Sequence, residues 1–118
     1  TARCGCEYEW GVHVSFFAER VGLGAAEVAA TVQGGAEHPA WSEAERTLIR
    51  LADELHEQAR ISDPRWAELR QHWRDDQLVE LVVLAGFYHT ISFVVNGLGV
   101  EREPRAPGFP AARSDQRR

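Results

Sequence analysis

The chain has 118 residues, of which 44% are hydrophobic and 26% are charged, as expected for a single soluble globular domain with its own core. Its 18 acidic residues outnumber its 13 basic residues, and the net charge of −5 speaks against a nucleic-acid-binding surface. Two cysteines, Cys4 and Cys6, are too few for a disulfide framework, and no signal peptide is visible. We therefore expect a cytoplasmic protein.

The first half of the sequence predicts helices, because no stretch shows sustained alternation of polar and apolar residues. We expect a first helix from near Cys6 to Gly22 and a short second helix over residues 24–32. Gly34 and Gly35 close the second helix, and a loop around Pro39 follows.

Two helix starts are visible in the middle of the chain. Ser42 and Glu45 form a capping-box pattern ahead of an apolar stripe, which predicts a third helix to about Arg60. Asp63 and Pro64 are typical of the N-cap and first turn of a fourth helix.

A fifth helix is predicted from Asp75 or Asp76 to about Val95, inside the apolar segment 78–100. The segment is long enough to cross a bilayer. However, it lacks flanking anchors and is interrupted by Glu80, His89 and Asn96. We therefore expect this helix to lie in a core or an oligomer interface, and not in a membrane.

We expect residues 1–103 to form one helical domain and residues 104–118 to form an extended or disordered tail. The tail is rich in Pro, Arg and Gly. Phe109 is the tail residue that we expect to lie against a neighbouring subunit.

The stretch CGCEYEWGVH carries the main functional signal, because Cys6, Glu9, Trp10 and His13 share one helical face. Glu9 can hydrogen-bond the imidazole of His13 and fix its tautomer. Cys6 lies where a helix N-terminus stabilises a thiolate, whereas the nearby charge of Glu9 opposes this. The alternative interpretation is an exposed Glu9–His13 pair beside a small buried cysteine.

The remaining histidines predict less. We expect His38 in a loop and His56 and His72 on the surface, whereas His89 and Tyr88 in the fifth helix are candidates for a binding pocket.

A metal site needs three or four converging ligands. From the sequence, only Glu9, His13 and His89 are candidates for such convergence, so we expect no metal and no other cofactor.

Three segments cover most of the chain: CEYEWGVHVSFFAERVGLGAAEVAA, WSEAERTLIRLADELH and VVLAGFYHTISFVVNGLGVE. Together they resemble the carboxymuconolactone decarboxylase family, which includes the alkylhydroperoxidase D-like thiol peroxidases. The resemblance implies an all-α bundle of about five helices that assembles into a homo-oligomer (a dimer, trimer or hexamer), and no cofactor.

The resemblance also separates two activities. The peroxidase branch carries C-x-x-C-x-x-x-H, which falls on Cys6, Glu9 and His13, so Glu9 stands in place of one thiol. A dithiol cycle cannot run through a glutamate. The decarboxylase branch resembles this chain in lacking the paired cysteines.

Three functions follow as hypotheses. The first is a decarboxylase-like enzyme for a small acidic or lactone-like substrate, with His13 carrying the proton, Glu9 orienting it, and Trp10, Tyr88 and His89 contacting substrate. The second is a thiol peroxidase with Cys6 as its nucleophile. The third is a non-enzymatic, oligomeric helical module.

Overall fold

The computed structural model describes residues 1–111, and these residues form an all-α structure, as the sequence predicts. The five α-helices are α1 (Glu7–Phe17), α2 (Ala25–Ala30), α3 (Glu43–Gln58), α4 (Asp63–Leu69) and α5 (Asp75–Gly97). Short 3-10 turns at Ala2–Cys4, Glu19–Val21 and Gly35–Glu37 join or precede them. The predicted tail residues 112–118 lie outside the described part of the chain.

The helix boundaries follow local chemistry. The capping box that begins α3 is confirmed: the Ser42 side chain accepts from the Glu45 amide, and the Glu45 carboxylate accepts from the Ser42 amide. The predicted N-cap of α4 was wrong by one residue, because the Ser62 hydroxyl accepts from the Arg65 amide and Asp63 is already helical. A hydroxyl at this position satisfies an amide that would otherwise lack a partner.

α1 is shorter than predicted. It begins at Glu7 and ends at Phe17, and a 3-10 turn carries the chain to Gly22. Gly22 has a φ of +78°, a left-handed conformation that glycine adopts without steric cost.

The hydrophobic core lies where α3, α4 and the start of α5 meet. Each of these helices contributes one buried leucine: Leu51, Leu69 and Leu78. Partly buried hydrophobic residues pack around them: Leu55, Ile61, Trp66, Trp73 and Leu81. This cluster fixes α5 at its N-terminal end and leaves its middle to form one wall of a cavity.

α5 packs on the rest of the chain along one side only. It contacts α1 and the turn Ala2–Cys4, and the Asn96 amide donates to the Cys4 carbonyl at 3.0 Å. Its length and composition would suffice to cross a membrane, and only 11% of its most apolar 18-residue stretch is buried within this chain. The opposite side exposes large apolar residues: Val79, Val83, Phe87, Phe93 and Val94.

The described part of the tail, residues 104–111, contains no helix and packs on the chain's own α1. Phe109 meets Trp10 edge to face, with ring centroids 5.3 Å apart, and its amide donates to the Glu7 carboxylate at 3.0 Å. At Gly11, an added Cβ would lie 2.2 Å from the Pro107 carbonyl oxygen, so glycine is required for this close approach. Within the structure, Phe109 is therefore held by α1 of its own chain.

Candidate active site

The predicted Glu9–His13 pair forms on α1. Both acceptors of Glu9 lie near Nδ1 of His13: the backbone carbonyl oxygen at 3.0 Å and the carboxylate Oε1 at 3.2 Å. A carbonyl oxygen can only accept, so the hydrogen-bond network assigns a proton to Nδ1. The four-residue spacing on one helix creates this contact without help from the rest of the fold.

The other ring nitrogen of His13 faces Tyr88 on α5. Nε2 lies 2.7 Å from the Tyr88 hydroxyl, and the two rings meet edge to face with centroids 5.1 Å apart. With the proton at Nδ1, the Tyr88 hydroxyl donates to Nε2. The imidazole is thus held at both nitrogens, by α1 on one side and by α5 on the other.

A cavity of about 320 Å³ opens beside this pair. His13 and Tyr88 line it together with His89, and its remaining walls are mainly apolar, formed by Leu48, Leu51, Leu81, Leu84 and Ala85. The His13 side chain is 37% exposed, whereas that of Glu9 is 16% exposed. His13 can therefore contact a small ligand while Glu9 stays behind it.

The structure does not bring Cys6 or Trp10 to this cavity. Cys6 is the N-cap of α1, with a non-helical φ of −87° and ψ of 81°, and its side chain is fully buried. Because it precedes the first helical residue, helical spacing does not align it with Glu9 and His13.

Trp10 is also buried and faces α2 and the tail. Its indole N–H donates to the Thr31 hydroxyl at 2.7 Å, and its ring contacts Phe109. Trp10 therefore fixes the position of α1, and it is not one of the described residues that line the cavity.

A second polar cluster borders the same cavity. Nδ1 of His56 lies 2.9 Å from Nε2 of His89 and 3.8 Å from Sγ of Cys4. His89 in turn donates from Nδ1 to the Ala85 carbonyl at 2.7 Å. Cys4 and His89 line the cavity, so the cluster and the His13–Tyr88 pair share one space.

Cys4 and His56 are cavity-side residues that were not predicted from the sequence. His56 was expected on the surface, but it is half-buried between Cys4 and His89, whereas His72 is exposed as predicted. A signal was available for His56, because it follows Leu48 by eight residues and Ala52 by four, at the edge of the apolar stripe of α3. No local pattern marks Cys4, because its contacts depend on tertiary packing.

Arg3 is the arginine among the residues that line the cavity. Its Nε lies 3.2 Å from the Asp53 carboxylate and its Nη2 lies 2.5 Å from that of Glu57. The guanidinium thus stands at the rim with its charge balanced by two carboxylates of α3.

Comparison with known proteins gives no match: no family model, no curated protein and no solved structure matches this chain.

Proposed function

We propose that this chain is a carboxymuconolactone decarboxylase-like enzyme that performs acid/base chemistry on a small acidic or lactone-like substrate. The observation that carries the proposal is the His13 imidazole, held between the Glu9 acceptors and the Tyr88 hydroxyl at the wall of the cavity. A space of about 320 Å³ suits a small organic molecule, and it favours an enzyme over a helical module with a filled core.

The chemistry follows from the two ring nitrogens of His13. In a decarboxylation, the bond to the carboxylate carbon breaks, carbon dioxide leaves, and the electron pair moves into an adjacent conjugated carbonyl. A carbon of the resulting enolate must then take up a proton. His13 can deliver that proton from Nε2 as an imidazolium, and water restores it afterwards.

Glu9 and Tyr88 support this transfer in different ways. The Glu9 carboxylate balances the positive charge that His13 carries when both nitrogens are protonated. The Tyr88 hydroxyl donates to Nε2 when that nitrogen is bare and accepts from it when it is protonated. The mainly apolar walls limit competition from water for the same proton.

The peroxidase alternative through Cys6 has no comparable support. A peroxidatic thiol must be reached by peroxide, and the Cys6 side chain is fully buried outside the cavity. The thiol that faces the cavity is that of Cys4.

The test is carbon dioxide release from a panel of β-keto acids and unsaturated lactone acids. We expect turnover of at least one member, a loss of about 10²–10⁴-fold in kcat for His13→Gln, and about tenfold for Tyr88→Phe. His72→Gln is the matched control, because His72 is exposed and does not line the cavity. Undiminished turnover in His13→Gln, or no turnover of the panel by the wild type, would refute the proposal.

We also propose that the chain works as a homo-oligomer that covers the exposed side of α5. The apolar residues on that side are too numerous for a stable monomer surface. The polar residues Asn96 and His89 instead turn towards the chain's own residues. A one-sided apolar face fits a second copy of the chain better than a lipid environment, which would surround the helix.

A further inference from the structure

Cys4, His56 and His89 place three metal-binding atoms close together. One ligand atom from each residue lies within 4.8 Å of the other two. The three residues are half-buried and come from three separate elements: the N-terminal turn, α3 and α5. Thiolate and imidazole ligands bind Zn²⁺ in preference to the hard cations Mg²⁺ and Ca²⁺.

The distances are close to those of tetrahedral coordination. Bond lengths of about 2.0–2.1 Å to nitrogen and about 2.3 Å to sulfur place two nitrogens roughly 3.3 Å apart, and nitrogen and sulfur roughly 3.6 Å apart. The corresponding separations here are 2.9 Å between the two imidazoles and 3.8 Å between Nδ1 of His56 and Sγ. The two nitrogens thus lie somewhat closer together than in the bound geometry, and the sulfur lies somewhat farther from Nδ1 of His56.

The hydrogen bonding around His89 prepares it as a ligand. Its Nδ1 donates to the Ala85 carbonyl, so Nε2 carries the free electron pair and points at the cluster. Most histidine ligands to metals donate a hydrogen bond from the ring nitrogen that does not bind the metal, and this bond fixes their tautomer and orientation. Nδ1 of His56 donates to Nε2 of His89 in the metal-free chain, and a proton thus lies where the ion would bind.

We propose that Cys4, His56 and His89 bind a Zn²⁺-class ion and leave its fourth coordination position open to the cavity. Binding displaces the thiol proton of Cys4 and moves the His56 proton from Nδ1 to Nε2, so affinity falls as the pH falls. The sequence pattern alone predicts no metal, because His56 is separated from Cys4 by 52 positions and from His89 by 33. The site does not depend on the proposed role of His13.

The primary test measures Zn²⁺ affinity in competition with a chromogenic chelator, and Co²⁺ spectra as a probe of the ligands. We expect one equivalent per chain and a tetrahedral Co²⁺ spectrum with a sulfur-to-cobalt charge-transfer band. Cys4→Ser should remove that band, and His56→Gln and His89→Gln should each weaken binding at least about tenfold. Cys6→Ser and His72→Gln are the matched controls and should leave both readouts unchanged.

The second measurement needs no ligand variant. In a Cys6→Ser background, Zn²⁺ should slow the alkylation of Cys4, and His13→Gln should retain Zn²⁺ binding even where it abolishes turnover. The proposal fails if binding is absent, if it survives Cys4→Ser unchanged, or if Zn²⁺ gives Cys4 no protection.

Discussion

Arg50 on α3 connects two acidic side chains that belong to different elements. Its Nη2 lies 2.5 Å from Oε1 of Glu37, in the turn Gly35–Glu37, and its Nη1 lies 2.6 Å from Oε1 of Glu68 on α4. Hydrogen bonds from Arg50, reinforced by its charge, hold the pKa of Glu37 below the ordinary value of a glutamate. Arg50 therefore attaches the turn before α3 to the helical core.

The lowered pKa of Glu37 predicts how its ion pair depends on pH. A carboxyl pKa that is lower in the folded state stabilises that state at pH values above the unfolded pKa of about 4.3. This contribution is lost as the pH falls through the folded pKa. We expect Glu37→Gln to lower the urea midpoint at pH 7, and the difference from wild type to vanish well below about pH 4.

The control is Glu19→Gln, which removes an exposed carboxylate that forms no ion pair among the described residues. It should change the midpoint little at either pH. A Glu37→Gln effect that persists at acid pH would contradict an ionic origin.

At the scale of single residues, the contacts that the sequence predicted are those set by spacing along one helix. Glu9 and His13 meet because four residues on one helix bring them together, and this contact was expected. Tyr88 was expected near the pocket, but its bond to Nε2 of His13 spans 75 positions and needs the packed fold. His56 was expected on the surface although it lies at the edge of the apolar stripe of α3, and its contact with His89 of α5 depends on the packed fold.

At the scale of the elements, α1 is held from two sides. α5 contacts it along the cavity, and residues 107–109 of the tail contact it at Glu7, Trp10 and Gly11. The Gln33 amide also donates to the carbonyls of Pro110 and Ala111, which extends the tail towards α2. The tail therefore determines where α1 can lie.

We expect Phe109→Ala to lower the free energy of unfolding by about 1–2 kcal/mol, because it removes an aromatic contact on a partly buried surface. Urea unfolding followed by far-ultraviolet circular dichroism measures this change. Phe16→Ala is the control, since its ring is 60% exposed. An equal loss for both variants would show that the tail contact is not specific.

Helix positions were predicted better than helix ends. The capping box of α3 depends on the side chains of Ser42 and Glu45 alone, so the sequence is sufficient to locate it. The end of α1 was placed about four residues too late, because the chain keeps a helical sense through the 3-10 turn Glu19–Val21 before Gly22. The tail was expected to lie against a neighbouring subunit. Its contact with Gly11 and Trp10 of its own chain depends on where the fold places these two residues.

At the scale of the whole molecule, the main feature is the apolar face of α5, which no other part of the described chain covers. We expect the chain to sediment as an oligomer and Val83→Asp to shift it towards monomers, since Val83 is 65% exposed on that face. Analytical ultracentrifugation over a range of concentrations measures this. Gln71→Glu, an exposed change outside α5, should leave the oligomer intact.

Two results would contradict the oligomer proposal. One is a wild-type chain that is monomeric at all concentrations, and the other is partition into lipid vesicles that Val83→Asp reduces. The all-α class was predictable because helical spacing pervades the chain, whereas the number and arrangement of subunits depend on a surface that no single sequence describes.

Residues 4–8 contact residues 96–109 across the finished fold. Cys4 bonds Asn96, Tyr8 bonds Glu103 at 3.2 Å, and the Glu7 carboxylate bonds the Phe109 amide at 3.0 Å. On the ribosome, α1 leaves the exit tunnel before Tyr88, which contacts His13, and before Phe109, which contacts Trp10. The site can therefore be assembled only once α5 has been synthesised, and a nascent chain stalled before Tyr88 would carry the Glu9–His13 pair without its cavity.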